Sequence, residues 1–153
     1  MKLPYLVIVL ALGTLASPSR AADNLKLNPQ LDYNTDSQDG PLITGDNMSA
    51  GIVSGQPNYI LIYAEACYNS KRQARRTVAL YNAYRSRIHF VIIDLDLPRS
   101  PEQQALVKKY FQGYIPHVAV LDRNGKPVYS QPGEIPTQNL EQIFKQILDN
   151  TRQ

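Results

Sequence analysis

The 153-residue sequence has a single cysteine and no tryptophan. One cysteine excludes an internal disulfide. It leaves Cys67 three fates: a free thiol, half of an intermolecular bridge, or a small buried bystander. Histidine is almost as scarce. His89 and His117, with one cysteine, form no recognised metal-ligand spacing. No glycine-rich phosphate loop, Ser-His-Asp signature or internal repeat is present, and no bound cofactor is expected. No apolar run is as long as a membrane-spanning helix, which needs roughly 20 residues. Charge of one sign is also in short supply. The formal net charge is +3, from 16 basic and 13 acidic residues. A surplus that small gives no support for a nucleic-acid partner.

What the chain does have begins with an export pattern. Lys2 supplies a positive start, Leu6–Leu15 an apolar stretch of about ten residues, and Ser19 and Ala21 the small side chains that a signal peptidase reads. Cleavage is expected after Ala21, giving an exported protein, periplasmic or secreted, with no remaining membrane attachment. Loss of Lys2 and Arg20 would leave 14 basic residues against 13 acidic and a net charge of +1. Residues 22–45 are rich in Asn, Asp, Gln and Ser, lack a period, and read as an extended or flexible lead-in. The domain proper is expected over residues 46–153, opening with a short helix that Asp46 caps.

From Asn58 the pattern is regular. Tyr59–Ala64 is an apolar β-type run, and His89–Leu95 reads as a strand covered on both faces. Between them a helix runs from about Cys67 to Ser86, with Ala74, Val78, Tyr81 and Tyr84 along one side. Ser100-Pro101 starts a second helix. Val118–Leu121 and Lys126–Ser130 flank the turn Asp122–Gly125, and Thr137–Leu148 forms a last amphipathic helix. A strand–helix–strand unit followed by a hairpin specifies an α/β fold: a mixed central sheet with helices on both faces.

The order and the motifs together resemble the thioredoxin family over about Gln56–Leu148. Tyr63–Ser70 resembles the family's active-site loop, Ile115-Pro116 its cis-proline loop, Asn124-Gly125 its hairpin turn, and Gly133 the glycine before its last helix. Four positions depart from the family. Ser70 stands where the second cysteine would be, and Ala66 where a tryptophan precedes the first. Tyr68-Asn69 replaces Gly-Pro, and Leu61 replaces a buried acid.

The resemblance implies protein or peptide thiol/disulfide substrates at Cys67, with Ser70 beside it and Ile115, Pro116, Tyr68 and Tyr114 holding an extended chain by β-strand addition. Tyr63 would join Tyr68 and Tyr114 as an aromatic rim. A thiol is only a few per cent thiolate at neutral pH, and a helix N-terminus raises that fraction. Ser70 is expected to add a hydrogen bond. Lys71, Arg72, Arg75 and Arg76 read as a solvated helix face. A dithiol enzyme resolves its mixed disulfide with a second thiolate, and a serine hydroxyl cannot do this. Only a monothiol cycle remains, resolved by an outside thiol of low molecular weight or on a protein. The alternatives are a redox-silent binding module built on the Pro116 loop and a Cys67-linked homodimer. His117 is a weak candidate partner for Cys67. Asp94 and Asp96 read as turn formers rather than a carboxylate pair.

Overall fold

Six consecutive residues with no polar-facing side demand cover on both faces, and Asn58–Tyr63 (β3, Asn-Tyr-Ile-Leu-Ile-Tyr) is buried throughout. A computed structural model describes residues 24–149 of the chain; the expected signal segment, residues 1–21, lies outside them. β3 is a central strand. It pairs parallel with β4 (His89–Asp94) and antiparallel with β5 (His117–Leu121), which pairs in turn with β6 (Pro127–Pro132). The sheet order is β4-β3-β5-β6. Strand alternation sorts the core into two halves. Tyr59, Leu61 and Tyr63 face α1 (Tyr68–Tyr84) and α3 (Thr137–Asp149), together with Phe90 and Val118. Ile60 and Ile62 face α2 (Pro101–Tyr110) through Leu106 and Tyr110. The expected α/β fold, a mixed sheet with helices on both faces, is therefore the observed one.

The local signals act where they stand. Ser100 Oγ accepts from Gln103 N–H at 3.2 Å. Pro101 occupies the first turn of α2, where its missing N–H costs nothing. Asp122 Oδ1 accepts from the N–H groups of Asn124 and Lys126, both at 2.9 Å. Gly125 supplies the positive φ of the hairpin. Phe144 of α3 meets Tyr59, Tyr84 and Phe90 edge-on, with ring centres 6.0, 5.1 and 6.3 Å away. These contacts tie the last helix to the sheet.

Two expectations are corrected. Within the described residues, 24–45 are not a flexible lead-in. Lys26–Leu27 (β1) pairs with Ile43–Thr44 (β2), and Leu25, Tyr33, Leu42 and Ile43 are buried in the α1/α3 half of the core. The apolar residues of this segment are few and keep no single period, yet they pack into or against the core. Tyr33 Oη closes the segment by donating to Leu42 O at 2.6 Å. Nor does a helix follow Asp46. Residues 46–49 form a turn in which Asn47 has a φ of 55°. Val53 is held instead by the side chain of Asn58. Its N–H donates to Asn58 Oδ1 and its carbonyl accepts from Nδ2, both at 2.8 Å.

Candidate functional site

β3 ends at Tyr63 and α1 begins at Tyr68, so the loop between them carries Cys67 to the helix N-terminus at one end of the central strand. Cys67 is the N-cap residue, with extended backbone (φ −140°, ψ 114°). It is half-buried, and its Sγ lies 4.0 Å from Ile115 O. That contact brings together two segments 48 residues apart, the cysteine loop and the Ile115-Pro116 loop. The Ile115–Pro116 peptide bond is cis. Pro116 is buried, and its carbonyl accepts from Gly133 N–H at 2.7 Å. Tyr114 is 72% exposed beside this loop. Tyr68 is half-buried at the mouth, with the Arg72 guanidinium 4.6 Å from its ring centre, a cation–π distance.

Not every expected contact forms. Ser70 is fully buried one turn into α1, and its hydroxyl has no hydrogen-bond partner, so the expected bond to Cys67 is missing. Ser70 faces the core with Gln73, Ala74 and Thr77 rather than the loop. Tyr63 is also no part of the rim. It is fully buried, and its hydroxyl accepts from Ile43 N–H at 3.4 Å. His117 is buried and turned toward β6, with Nε2 3.0 Å from Ser130 Oγ. Burial lowers its pKa, which favours a neutral ring. His89 is structural, with Nε2 2.9 Å from Gly51 O. Leu61 is fully buried in the core, so no carboxylate stands at that place on β3.

The expected solvated face of α1 holds for Arg75, which is exposed, and in part for the half-buried Arg72 and Arg76, but not for Lys71. Lys71 has no exposed surface. Its ammonium donates to Asp32 O at 2.7 Å and Ser37 Oγ at 2.6 Å, with Asp39 Oδ2 at 3.6 Å. Arg75 donates to Asn34 Oδ1 at 3.3 Å and lies over the Tyr33 ring. Arg72 and Arg76 both pair with Glu134, the latter at 2.9 Å. Gln73 Oε1 accepts from Ile135 N–H at 3.0 Å, so Gly133–Ile135 is gripped by α1 as well as by Pro116. Sequence reasoning also missed Asp36. Its carboxylate accepts from Tyr68 N–H and so supplies the cap that Cys67 does not make. A partial signal was available: aspartates recur at 32, 36 and 39, and the charge of Lys71 meets those of Asp32 and Asp39.

Asp94 ends β4 and, as expected, serves a turn: Asp96 N–H donates to its Oδ1 at 2.9 Å. Asp96 Oδ2 accepts from Glu65 N–H at 2.8 Å. Glu65, Asp94 and Asp96 each bring a carboxylate oxygen within 4.8 Å of the others, the one grouping among the described residues that could hold a metal ion. Burial pushes the Asp94 pKa up to about 6; the charges of Glu65 and Asp96 add to it, and the Asp96 N–H and the neighbouring Tyr63 hydroxyl oppose it. The folded state therefore holds this proton more tightly than the unfolded chain does. The stability that it contributes is complete below about pH 4 and is lost as pH rises through about 6. Asp94→Asn should remove this slope. In urea denaturation, variant and parent should match near pH 4. At pH 7 the variant should be more stable by about 2 kcal/mol, a figure that allows for solvent screening. A parent as stable as the variant at pH 7 contradicts this.

A family model described as a thioredoxin-like domain matches residues 47–148. Among similar solved structures is thioredoxin-2 of the malaria parasite, described as a component of its protein secretion machinery, at 19% identity and a TM-score of 0.51. The match covers 60% of this chain and 82% of that one. Chloroplastic thioredoxin z matches at 21% identity and a TM-score of 0.51, over 62% of this chain and 80% of that one. A thioredoxin-like protein from Clostridium perfringens matches at 18% identity and a TM-score of 0.52, over 62% and 73%. No curated protein matches the chain.

Proposed function

The chain belongs to the thioredoxin-like domain family, and from that premise we propose that it performs monothiol thiol–disulfide exchange at Cys67 in an exported compartment. The observation that carries the reading is the half-buried thiol at the start of α1, 4.0 Å from the backbone of the Ile115-Pro116 loop. The Cys67 thiolate attacks one sulfur of a protein or peptide disulfide. A Cys67–substrate disulfide forms, and the other substrate sulfur leaves as a thiolate that takes up a proton. The chain has no second cysteine, so an outside thiol attacks the mixed disulfide, displaces Cys67 and becomes the new partner of the substrate sulfur. The carbonyl of Ile115, beside the thiol, is available to an extended substrate chain for main-chain pairing.

Reduced native protein mixed with a small aromatic disulfide should gain the mass of one aryl thiol at Cys67 within minutes. An adduct that forms only after unfolding would overturn the reading. A band of twice the mass on a non-reducing gel would assign Cys67 to a covalent homodimer instead. The same preparation checks export: the mass of the secreted chain should correspond to a start at Ala22, and a mass that retains Met1–Ala21 contradicts cleavage.

A second reading has its own support in Tyr114, an aromatic side chain 72% exposed beside the Pro116 loop. Such a ring suits a module that holds a peptide without redox chemistry. Under it, Cys67→Ser captures a partner as well as the parent does. Under the thiol reading, capture is lost.

A further inference from the structure

At the C-terminal ends of the parallel pair β3 and β4 lies a cleft of about 320 Å³, lined by Pro41, Ile43, Met48 and Leu97, with Tyr63 and Asp94 at its buried end. In open α/β sheets this end of the strands is where ligands bind. The lining is mainly apolar, and Leu97 remains 42% exposed. Asp94 is the exception. It is 8% exposed, and its Oδ2 accepts no well-formed hydrogen bond, although the Tyr63 hydroxyl stands beside the carboxylate. Leaving a buried acceptor incompletely paired is costly, and a donor brought by a ligand would recover that cost. Glu65 and Asp96 stand within 4.8 Å of it and add negative charge. None of the three carboxylates has a cationic partner among the described residues. The nearest arginine in sequence, Arg99, donates instead to the carbonyls of Leu95 and Leu97.

We propose that this cleft binds a primary amine with a short apolar tail: the ammonium at Asp94, flanked by Asp96 and Glu65, and the hydrocarbon against Ile43, Met48 and Leu97. An ammonium has three donors for three carboxylates and tolerates an apolar neighbour. A hard divalent ion asks for six or more oxygens. Here two of the three carboxylates already accept from backbone N–H groups, and the adjoining wall is hydrocarbon. The site is independent of any chemistry at Cys67.

The full chain, labelled with ¹⁵N, would be titrated with n-hexylamine, 1-hexanol and hexanoate while its amide resonances are followed. Hexylamine should shift the amides of Ile43, Asp94 and Leu97 saturably, at least tenfold more tightly than hexanol, and hexanoate should shift none of them. Asp94→Asn keeps the acceptor for Asp96 N–H. It should weaken hexylamine at least fivefold and leave hexanol unchanged. Leu97→Ala should weaken both amine and alcohol. Equal affinity for amine and alcohol, an amine preference that survives Asp94→Asn, or shifts that lie elsewhere would overturn the proposal. So would magnesium or calcium shifting these amides where the amine does not.

Discussion

Lys71→Ala is expected to destabilise the protein by about 3 kcal/mol, lowering the melting temperature by roughly 10 °C, and to loosen residues 24–45 first. The side chain has no exposed surface, so the variant loses the packing of a four-carbon stem as well as three donors. Those donors hold the carbonyl of Asp32 and the hydroxyl of Ser37, with the Asp39 carboxylate at 3.6 Å. Burying an ammonium is costly, and a buried charge is weak evidence of net stability. Lys71→Met separates the two contributions. It keeps most of the stem and removes the charge with its desolvation cost. Asp39, whose side chain is 38% exposed, stays hydrated. The global effect should be about 1 kcal/mol. Both variants should nonetheless speed amide hydrogen exchange over residues 30–39 and at Tyr68, whose N–H is held by Asp36 from the same segment. Unchanged exchange in Lys71→Met would show that the segment is held by Tyr33 and Leu42 in the core and not by the lysine.

That segment marks the boundary of what was legible in the sequence. Apolar runs and stripes located β3, α1, β4 and α3, while a helix start signal located α2 and the Asp122–Gly125 turn located the hairpin of β5 and β6. Cys67 and Pro116 are singled out by the resemblance to the thioredoxin family, which implies a thiol at a strand–helix junction and a proline loop before a strand. Neither signal could register residues 24–45, whose burial depends on a few aperiodic side chains, Leu25, Tyr33, Leu42 and Ile43, and on a tyrosine hydroxyl that reaches the carbonyls of Asn28 and Leu42. For the same reason the helical pattern misjudged Lys71. Position on a helix says which face a side chain shares, but not that another segment will cover that face. Ser70 failed as a hydrogen-bond donor on similar grounds. Three residues beyond Cys67 is one turn along the helix, and the turn delivers Ser70 to the core. Asp46 shows the reverse error, a sound capping signal with no helix behind it. The Asn58 side chain engages the N–H and carbonyl of Val53, and Asn47 takes a positive φ.

Ser70→Cys should convert a stoichiometric thiol into a catalyst, raising dithiothreitol-driven reduction of insulin at least tenfold over the parent. The positions suit a disulfide, because residues three apart at a helix start have Cα atoms about 5 Å apart, inside the bridging range. The introduced thiol would also replace a hydroxyl that has no partner, so the change breaks no hydrogen bond. In the parent, the mixed disulfide at Cys67 waits for an outside thiol. In the variant, the new thiolate attacks Cys67 Sγ, the substrate sulfur leaves, and the internal disulfide is reduced in turn by dithiothreitol. The aromatic-disulfide adduct that accumulates on the parent should therefore be transient on the variant, replaced by a chain two mass units lighter than its reduced form. Cys67→Ser in the same background must abolish turnover, which keeps the assignment on Cys67. Full family-like efficiency is not expected, because Leu61 offers no carboxylate to take the proton of the resolving thiol. A persistent adduct with no turnover would mean that the burial of position 70, rather than the chemistry of its side chain, blocks resolution. The two explanations separate on one further measurement: alkylation of the introduced thiol in the native protein, which should be fast if the helix start opens to admit it and absent if it does not.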